Sequence, residues 1–176
     1  MNTSIRLHKS YSIMKYFAYG SNMSLARLRG RTPSANRLGI YTLREHSLRF
    51  HKISHDGSGK CDAFHTKCPD DFVIGAVFQI SLDEKPDLDY AEGLGYGYEE
   101  KLVSIVDADG NSIEALTYYA TKIDPDIKTY TWYLNHVLIG AREVGLPNSY
   151  IQTIQAIDCI EDPDAERDVI QRAIHR

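Results

Sequence analysis

The segment Phe72-Val-Ile-Gly-Ala-Val-Phe-Gln-Ile80 is among the longest apolar runs in the chain, and its length limits what the chain can be. A run of this size makes a buried β-strand, whereas a membrane-spanning helix needs roughly 18 apolar residues or more. An interior strand is therefore expected, with Gly75 where a neighbouring backbone comes close.

Strand character extends to residue 120. Tyr16 to Tyr19 is a short apolar strand broken by Gly20-Ser21-Asn22, after which Ser24 caps a helix through Leu25, Leu28 and Arg29 that stops at Gly30. Leu38, Ile40, Leu43, Leu48, Phe50 and Ile53 indicate one or two strands ending in a surface loop, His55-Asp-Gly-Ser-Gly59, and Cys61 to Thr66 carries a weaker strand pattern. Asp83 to Ala91 reads as a short helix with Pro86 in its first turn. Glu99–Val106 and Ser112–Ala120 flank Asp107-Ala-Asp-Gly110, and an Asp-Gly pair between β-rich segments predicts a hairpin.

Beyond Pro125 the period changes. Tyr130, Tyr133, Leu134, Val137, Leu138, Ala141 and Val144 recur at helical spacing up to Gly145 and Pro147. Asn148 is expected to cap a following helix through Tyr150, Ile151, Ile154 and Ile157, and a last helix after Pro163 presents Val169, Ile170, Ala173 and Ile174. His136 falls opposite the apolar stripe and is expected in solvent. Strands followed by helices, without strict βαβ alternation, make the class α+β. A single domain is expected over 14–176, with 1–13 as a flexible extension and Met14 as a candidate start.

Composition narrows the function. A chain of 176 residues, 43% hydrophobic and 25% charged, matches one soluble globular domain. Its net charge of −4, without long like-charge runs, lacks the basic footprint of a nucleic-acid or anionic-membrane binder. The N-terminus has no apolar core or cleavage site of a secretory signal. Cys61, Cys68 and Cys159 fit no disulfide scaffold, so three free thiols and a cytoplasmic location are expected. Twelve Tyr stand against five Phe and one Trp, and tyrosine's apolar body and hydrogen-bonding tip suit half-buried pocket walls.

Two places could carry chemistry. Tyr19-Gly20-Ser21-Asn22 lies between a strand and a helix N-terminus, where successive N–H groups can hold a carboxylate; an ordinary turn capped by Ser24 is the alternative. Glu92, in Leu88-Asp-Tyr-Ala-Glu-Gly93, ends a short helix. A carboxylate there faces the negative end of the helix dipole, which suits a general acid/base, and a solvated surface Glu is the alternative. Cys61, His65 and Cys68, with His46, His51 and His55, are metal-ligand types without a paired zinc spacing. No G-x-S-x-G elbow, G-x-G-x-x-G or P-loop occurs.

Tyr16-Phe-Ala-Tyr-Gly-Ser-Asn-Met23 resembles the γ-glutamylcyclotransferase-like family, whose hallmark is this loop after the first strand. Gly59-Lys-Cys-Asp-Ala-Phe64, Ile74-Gly-Ala-Val77, Leu88 to Gly93 followed by Tyr98, and Tyr133 through Gly140-Ala-Arg-Glu-Val-Gly-Leu-Pro147 follow in the family's order. The resemblance runs from about Lys15 to Asp158. It implies a small mixed β-barrel with flanking helices, binding a γ-glutamyl group at the barrel's end and releasing 5-oxoproline and a free amine without metal or organic cofactor. Carried over by position, Glu92 is the catalytic acid/base. Tyr19, Gly20, Ser21 and Asn22 form the substrate loop, and Tyr98 and Tyr133 the pocket walls.

The implied partner is a small γ-glutamyl molecule, with no nucleic acid and no membrane, and the family allows a homodimer. The segment between Glu92 and Tyr98 departs from that of the vertebrate enzyme, leaving Tyr96 as an alternative to Tyr98. The loop from His55 to Lys60 lies where a leaving group is recognised. Alternatives are a cyclotransferase for γ-glutamyl amines or a biosynthetic intermediate, and a non-catalytic binding domain of the same fold.

Overall fold

The computed structural model describes residues 12–175, so most of the extension expected over 1–13 falls outside the described residues. In chain order the elements are β1 (Ile13–Ala18), α1 (Leu25–Arg29), β2 (Asn36–Arg44), β3 (His46–Ile53), β4 (Gly59–His65), β5 (Phe72–Ser81), α2 (Lys85–Glu92), β6 (Tyr98–Val106) and β7 (Ser112–Ala120). There follow β8 (Thr129–Tyr130), α3 (Thr131–Val144), α4 (Asn148–Gln155), β9 (Cys159–Ile160) and α5 (Ala165–Ala173). No helix among the described residues is long and apolar enough to cross a membrane.

The strands close a mixed five-stranded barrel in the order β1-β5-β2-β6-β7. β1 runs antiparallel to β5, from Ile13↔Ser81 to Ala18↔Ala76, and meets β7 in parallel at Tyr16↔Leu116. β6 and β7 form the hairpin that the Asp-Gly signal predicts, with Gly110 at φ +86 and Asp107 Oδ1 accepting from the Asn111 amide at 2.8 Å. The apolar run is β5, whose Val73, Val77, Phe78 and Ile80 have no solvent exposure. Burying such side chains contributes about 1.5–3 kcal/mol each. Gly75 is required by contact, since a Cβ there would sit 2.4 Å from the Ala18 carbonyl oxygen.

β3 and β4 pair as a separate two-stranded sheet. Their register slips between Arg49↔Asp62 and Lys52↔Lys60, so Phe50 and His51 together face Cys61. This β-bulge interrupts side-chain alternation, and Phe50, His51 and Lys52 are all buried in succession.

α3 lies across the turn that follows β1. A Cβ on Gly140 would come within 2.4 Å of the Ser24 amide nitrogen, so glycine lets the helix touch that turn. α5 folds back on α3: Asp162 Oδ2 accepts from Trp132 Nε1 at 2.7 Å and from Arg167 Nε at 2.6 Å.

Several sequence expectations change here. His136 is fully buried, because α5 covers the polar side of α3 and brings Gln171 Oε1 to 3.1 Å from His136 Nε2. Pro147, in extended conformation, occupies the N-cap of α4, and Asn148 is already helical without a side-chain cap bond. The loop at 55–59 is only partly a surface feature: Ser58 is buried and Asp56 turns in to hold Lys60. On α5, Val169 and Ile170 remain exposed. The two-residue strands β8 and β9 had no detectable period.

Two outcomes follow for stability. Gly140→Ala should cost about 1–3 kcal/mol through overpacking against backbone, read as a lower denaturant midpoint. Burial, with Arg27 and His175 nearby, holds the His136 imidazole at about 3, below its ordinary value. The unfolded chain then binds the extra proton, so stability is lost as pH falls from about 6.5 toward about 3. His136→Gln should flatten that acid limb in denaturation curves taken across the window.

Candidate active site

β1 ends at Ala18, and the chain turns through Tyr19 and Gly20 into a 3-10 turn over Ser21–Met23. Gly20 passes so near β4 that a Cβ would meet Cys61 Cβ at 2.9 Å and Sγ at 3.2 Å. Beside that approach lies a narrow cleft lined by Tyr16, Tyr19, Gly20, Ser21, Asn22 and Cys61, and by Glu92, Tyr98, Tyr118 and Tyr133. All seven residues singled out from the sequence meet here, from the first turn, the end of α2, the start of β6 and the first turn of α3.

Glu92 is the last residue of α2, which Gly93 terminates in the left-handed region at φ +74. Its Oε1 accepts from Asn22 Nδ2 at 2.6 Å and from Arg31 Nη1 at 2.9 Å, and Arg31 also donates to Asn22 Oδ1 at 2.7 Å. Oε2 has no hydrogen-bond partner among the described residues. Arg31 and Glu92 are 20% and 16% exposed, so the pair is neither freely solvated nor sealed. Glu92 lines the cleft, and a carboxylate fixed through one oxygen with the other unpartnered can exchange a proton with a molecule bound there.

The tyrosines make a wall of oriented hydroxyls. Tyr19 Oη donates to the Tyr118 carbonyl at 2.6 Å, Tyr98 Oη donates to the Cys61 carbonyl, and Tyr133 Oη accepts from the Cys61 amide at 3.1 Å. Tyr16 Oη accepts from Asn22 Nδ2 at 3.0 Å. Burial raises the pKa of Tyr16, Tyr19, Tyr98 and Tyr133 above the ordinary phenol value, so all four keep their protons through the neutral range. Burial likewise pushes the Cys61 thiol up to about 12, which excludes it as a thiolate nucleophile. Beside the cleft, Arg27 Nε donates to Ser21 Oγ at 3.2 Å and fixes that side chain.

The structure separates the alternatives left by the sequence at Tyr96 and Tyr98. Tyr96 is 70% exposed, whereas Tyr98 begins β6 and faces the cleft. Arg31, Tyr16, Cys61 and Tyr118 were not foreseen. Arg31 lies beyond the glycine that ends α1, where no pattern marks it, while Tyr16 and Tyr118 read as strand positions. Among the described residues no three His, Cys, Asp or Glu side chains gather as a metal site; His46 and His65 instead stack at 4.7 Å.

Residues 72–154 match the AIG2-like family. Over 148 residues the chain is 30% identical to gamma-glutamylcyclotransferase of Homo sapiens and 29% identical to that of Bos taurus, in each case covering 81% of this chain and 78% of the relative. A solved structure described as gamma-glutamyl cyclotransferase superposes with a TM-score of 0.82 at 26% identity, covering 92% of this chain and 99% of that one. YkqA of Bacillus subtilis has the same fold, with a TM-score of 0.71 at 21% identity over 86% of this chain and 58% of its own.

Tyr133→Phe removes the acceptor of the buried Cys61 amide and should cost about 1–3 kcal/mol, measured by chemical denaturation. The same loss should appear as faster hydrogen exchange at Cys61.

Proposed function

The chain belongs to the gamma-glutamylcyclotransferase family, and from that premise we propose that it cyclises a γ-glutamyl amino acid or conjugate, releasing 5-oxoproline and a free amine. The observation that carries this reading is the state of Glu92. One carboxylate oxygen is fixed by Asn22 and Arg31, the other has no hydrogen-bond partner among the described residues, and the side chain lines the cleft together with the turn after β1 and four tyrosines besides that turn's own.

The chemistry needs these groups. At neutral pH the substrate's α-amine is an ammonium and cannot attack. Glu92 Oε2 accepts its proton, and the amine nitrogen then adds to the γ-carbonyl carbon to form a five-membered ring. As the bond from that carbon to the leaving nitrogen breaks, the Glu92 carboxyl returns the proton to the departing amine, and the second proton, shed by the ring nitrogen as it becomes an amide, passes by way of the same carboxylate to that amine, which leaves as an ammonium. Atoms and charge balance, and Glu92 ends as it began.

Ring closure requires the flexible γ-glutamyl chain to be folded so that amine and carbonyl meet. Holding it so replaces an entropic barrier with binding and supplies several kcal/mol. The amides of Gly20, Ser21 and Asn22 suit the α-carboxylate, because all three residues line the cleft and successive N–H groups in a turn can hold an anion. Charge that develops on the γ-carbonyl oxygen needs a donor. The protons of Tyr19 and Tyr98 are committed to backbone carbonyls, whereas Tyr133 uses its oxygen as an acceptor and keeps its proton for the ligand. Lining residues of the barrel and α3 meet these needs without a further group, and the substrate is a small molecule rather than a polymer.

Purified protein should release 5-oxoproline from at least one member of a panel of γ-glutamyl amino acids, γ-glutamyl amines and glutathione, quantified by mass spectrometry; silence across the panel beside an active control enzyme overturns the activity. Glu92→Gln should lower kcat by about 10²–10⁴-fold with ligand affinity retained. Unchanged turnover in that variant would remove Glu92 from the acid/base role.

A further inference from the structure

α5 is docked without an apolar face. None of its residues is buried, and Val169 and Ile170 point away from the protein. A surface helix is ordinarily held by an apolar stripe turned to the core. This one is held by polar groups. Arg167 binds Asp162, and Arg172 Nη2 donates to Thr131 Oγ1 at 2.8 Å. Gln171 makes the third contact: its Oε1 accepts from Arg27 Nη1 at 3.2 Å and lies 3.1 Å from His136 Nε2.

These hydrogen bonds have a fixed direction. A guanidinium only donates, so the Gln171 oxygen faces Arg27, and His136 Nε2, on the same oxygen, carries a proton. His136 Nδ1 is then an acceptor, for His175 Nε2 at 2.5 Å. Arg27 has no carboxylate partner among the described residues; its side chain donates to two neutral oxygens, Gln171 Oε1 and, through Nε at 3.2 Å, Ser21 Oγ. Ser21 is buried and lines the cleft. Its oxygen takes the Arg27 proton, and its own hydroxyl proton has no acceptor among the described residues. One set of hydrogen bonds thus joins α5, α3 and the turn after β1.

We propose that Gln171 of α5 is a positioning residue of the active site: by holding Arg27 against Ser21, it keeps the Ser21 hydroxyl proton free for the α-carboxylate of the substrate. The inference rests on the cyclotransferase reading of the cleft. An arginine side chain is among the costliest to immobilise, so Arg27 stays on Ser21 while its far end is held, and Gln171 holds that end. A planar guanidinium bound through both Nε and Nη1 is fixed in plane and direction. With its oxygen engaged by a donor, the Ser21 hydroxyl has no reason to turn its proton toward Arg27, and an anion in the cleft can accept it. Loss of Gln171 weakens that one hydrogen bond and leaves Glu92 untouched, so the effect falls on KM and not on kcat.

Steady-state kinetics on the γ-glutamyl compound that the wild-type protein turns over fastest test the role. Gln171→Leu, which removes the acceptor and suits a helix, should raise KM about 10-fold and change kcat by less than about 3-fold. Ser21→Ala should raise KM by at least as much. In the Ser21→Ala background, Gln171→Leu should have almost no further effect, because its action passes through the hydroxyl. An unchanged KM in Gln171→Leu, or losses that multiply in the double variant, overturn the positioning role and leave the activity standing. Where the leucine variant fails to fold, Arg27→Lys decides: its ammonium lacks the fork that spans Ser21 and Gln171, the Arg167 and Arg172 contacts of α5 remain, and KM should rise as in Gln171→Leu. An unchanged KM in Arg27→Lys overturns the role in the same way. No 5-oxoproline from any γ-glutamyl compound of the panel with the wild-type protein overturns the activity, and this inference with it.

Discussion

The structure depends on how tightly the turn after β1 is held. β1 is gripped on both sides, antiparallel by β5 and parallel by β7, so the chain leaves the barrel at Ala18 in a fixed direction. Gly20 then presses against Cys61 of the outer hairpin, and α3 presses on the far side of the turn through Gly140. Interiors are packed as densely as organic crystals, so contacts of this closeness leave little play. Three parts of the fold, the barrel, the β3–β4 sheet and α3, are thereby referenced to one short turn, and the cleft lies among them.

The electrostatics of the cleft build on that placement. Asn22, delivered by the turn, and Arg31, delivered by the chain beyond α1, converge on a single oxygen of Glu92. A lone carboxylate in a half-buried cleft swings among rotamers, and truncating either donor would free it to do so. Here the two donors orient it, and they also offset part of the cost of taking its charge out of water. The surrounding phenols stay neutral, so the cleft combines one fixed carboxylate with a wall of neutral hydrogen-bonding groups.

Much of this was legible in the sequence. The end of the short helix set where Glu92 stands, and the strand-turn-helix pattern located Tyr19 to Asn22, whereas the strand expected from Glu99 begins one residue earlier, at Tyr98. What escaped has physical reasons. His136 looked solvated because helical periodicity reports one partner surface, and α5 supplies a second. Arg31 belongs to no periodic element. The inward turn of Lys52 arises from a register slip, which depends on the pairing of two strands and not on either strand alone. Tyr96 and Tyr98 are the same residue type two positions apart, and only the point at which β6 starts distinguishes them.

Cys61 has a consequence that reaches beyond geometry. Its amide and carbonyl are both bound by tyrosines of the cleft, its thiol lies against Gly20, and burial keeps that thiol protonated. Oxidation, disulfide exchange and alkylation all begin from a thiolate. The residue at the centre of the wall is thus chemically quiet, and the shape of the cleft is insulated from swings in the redox poise of its surroundings.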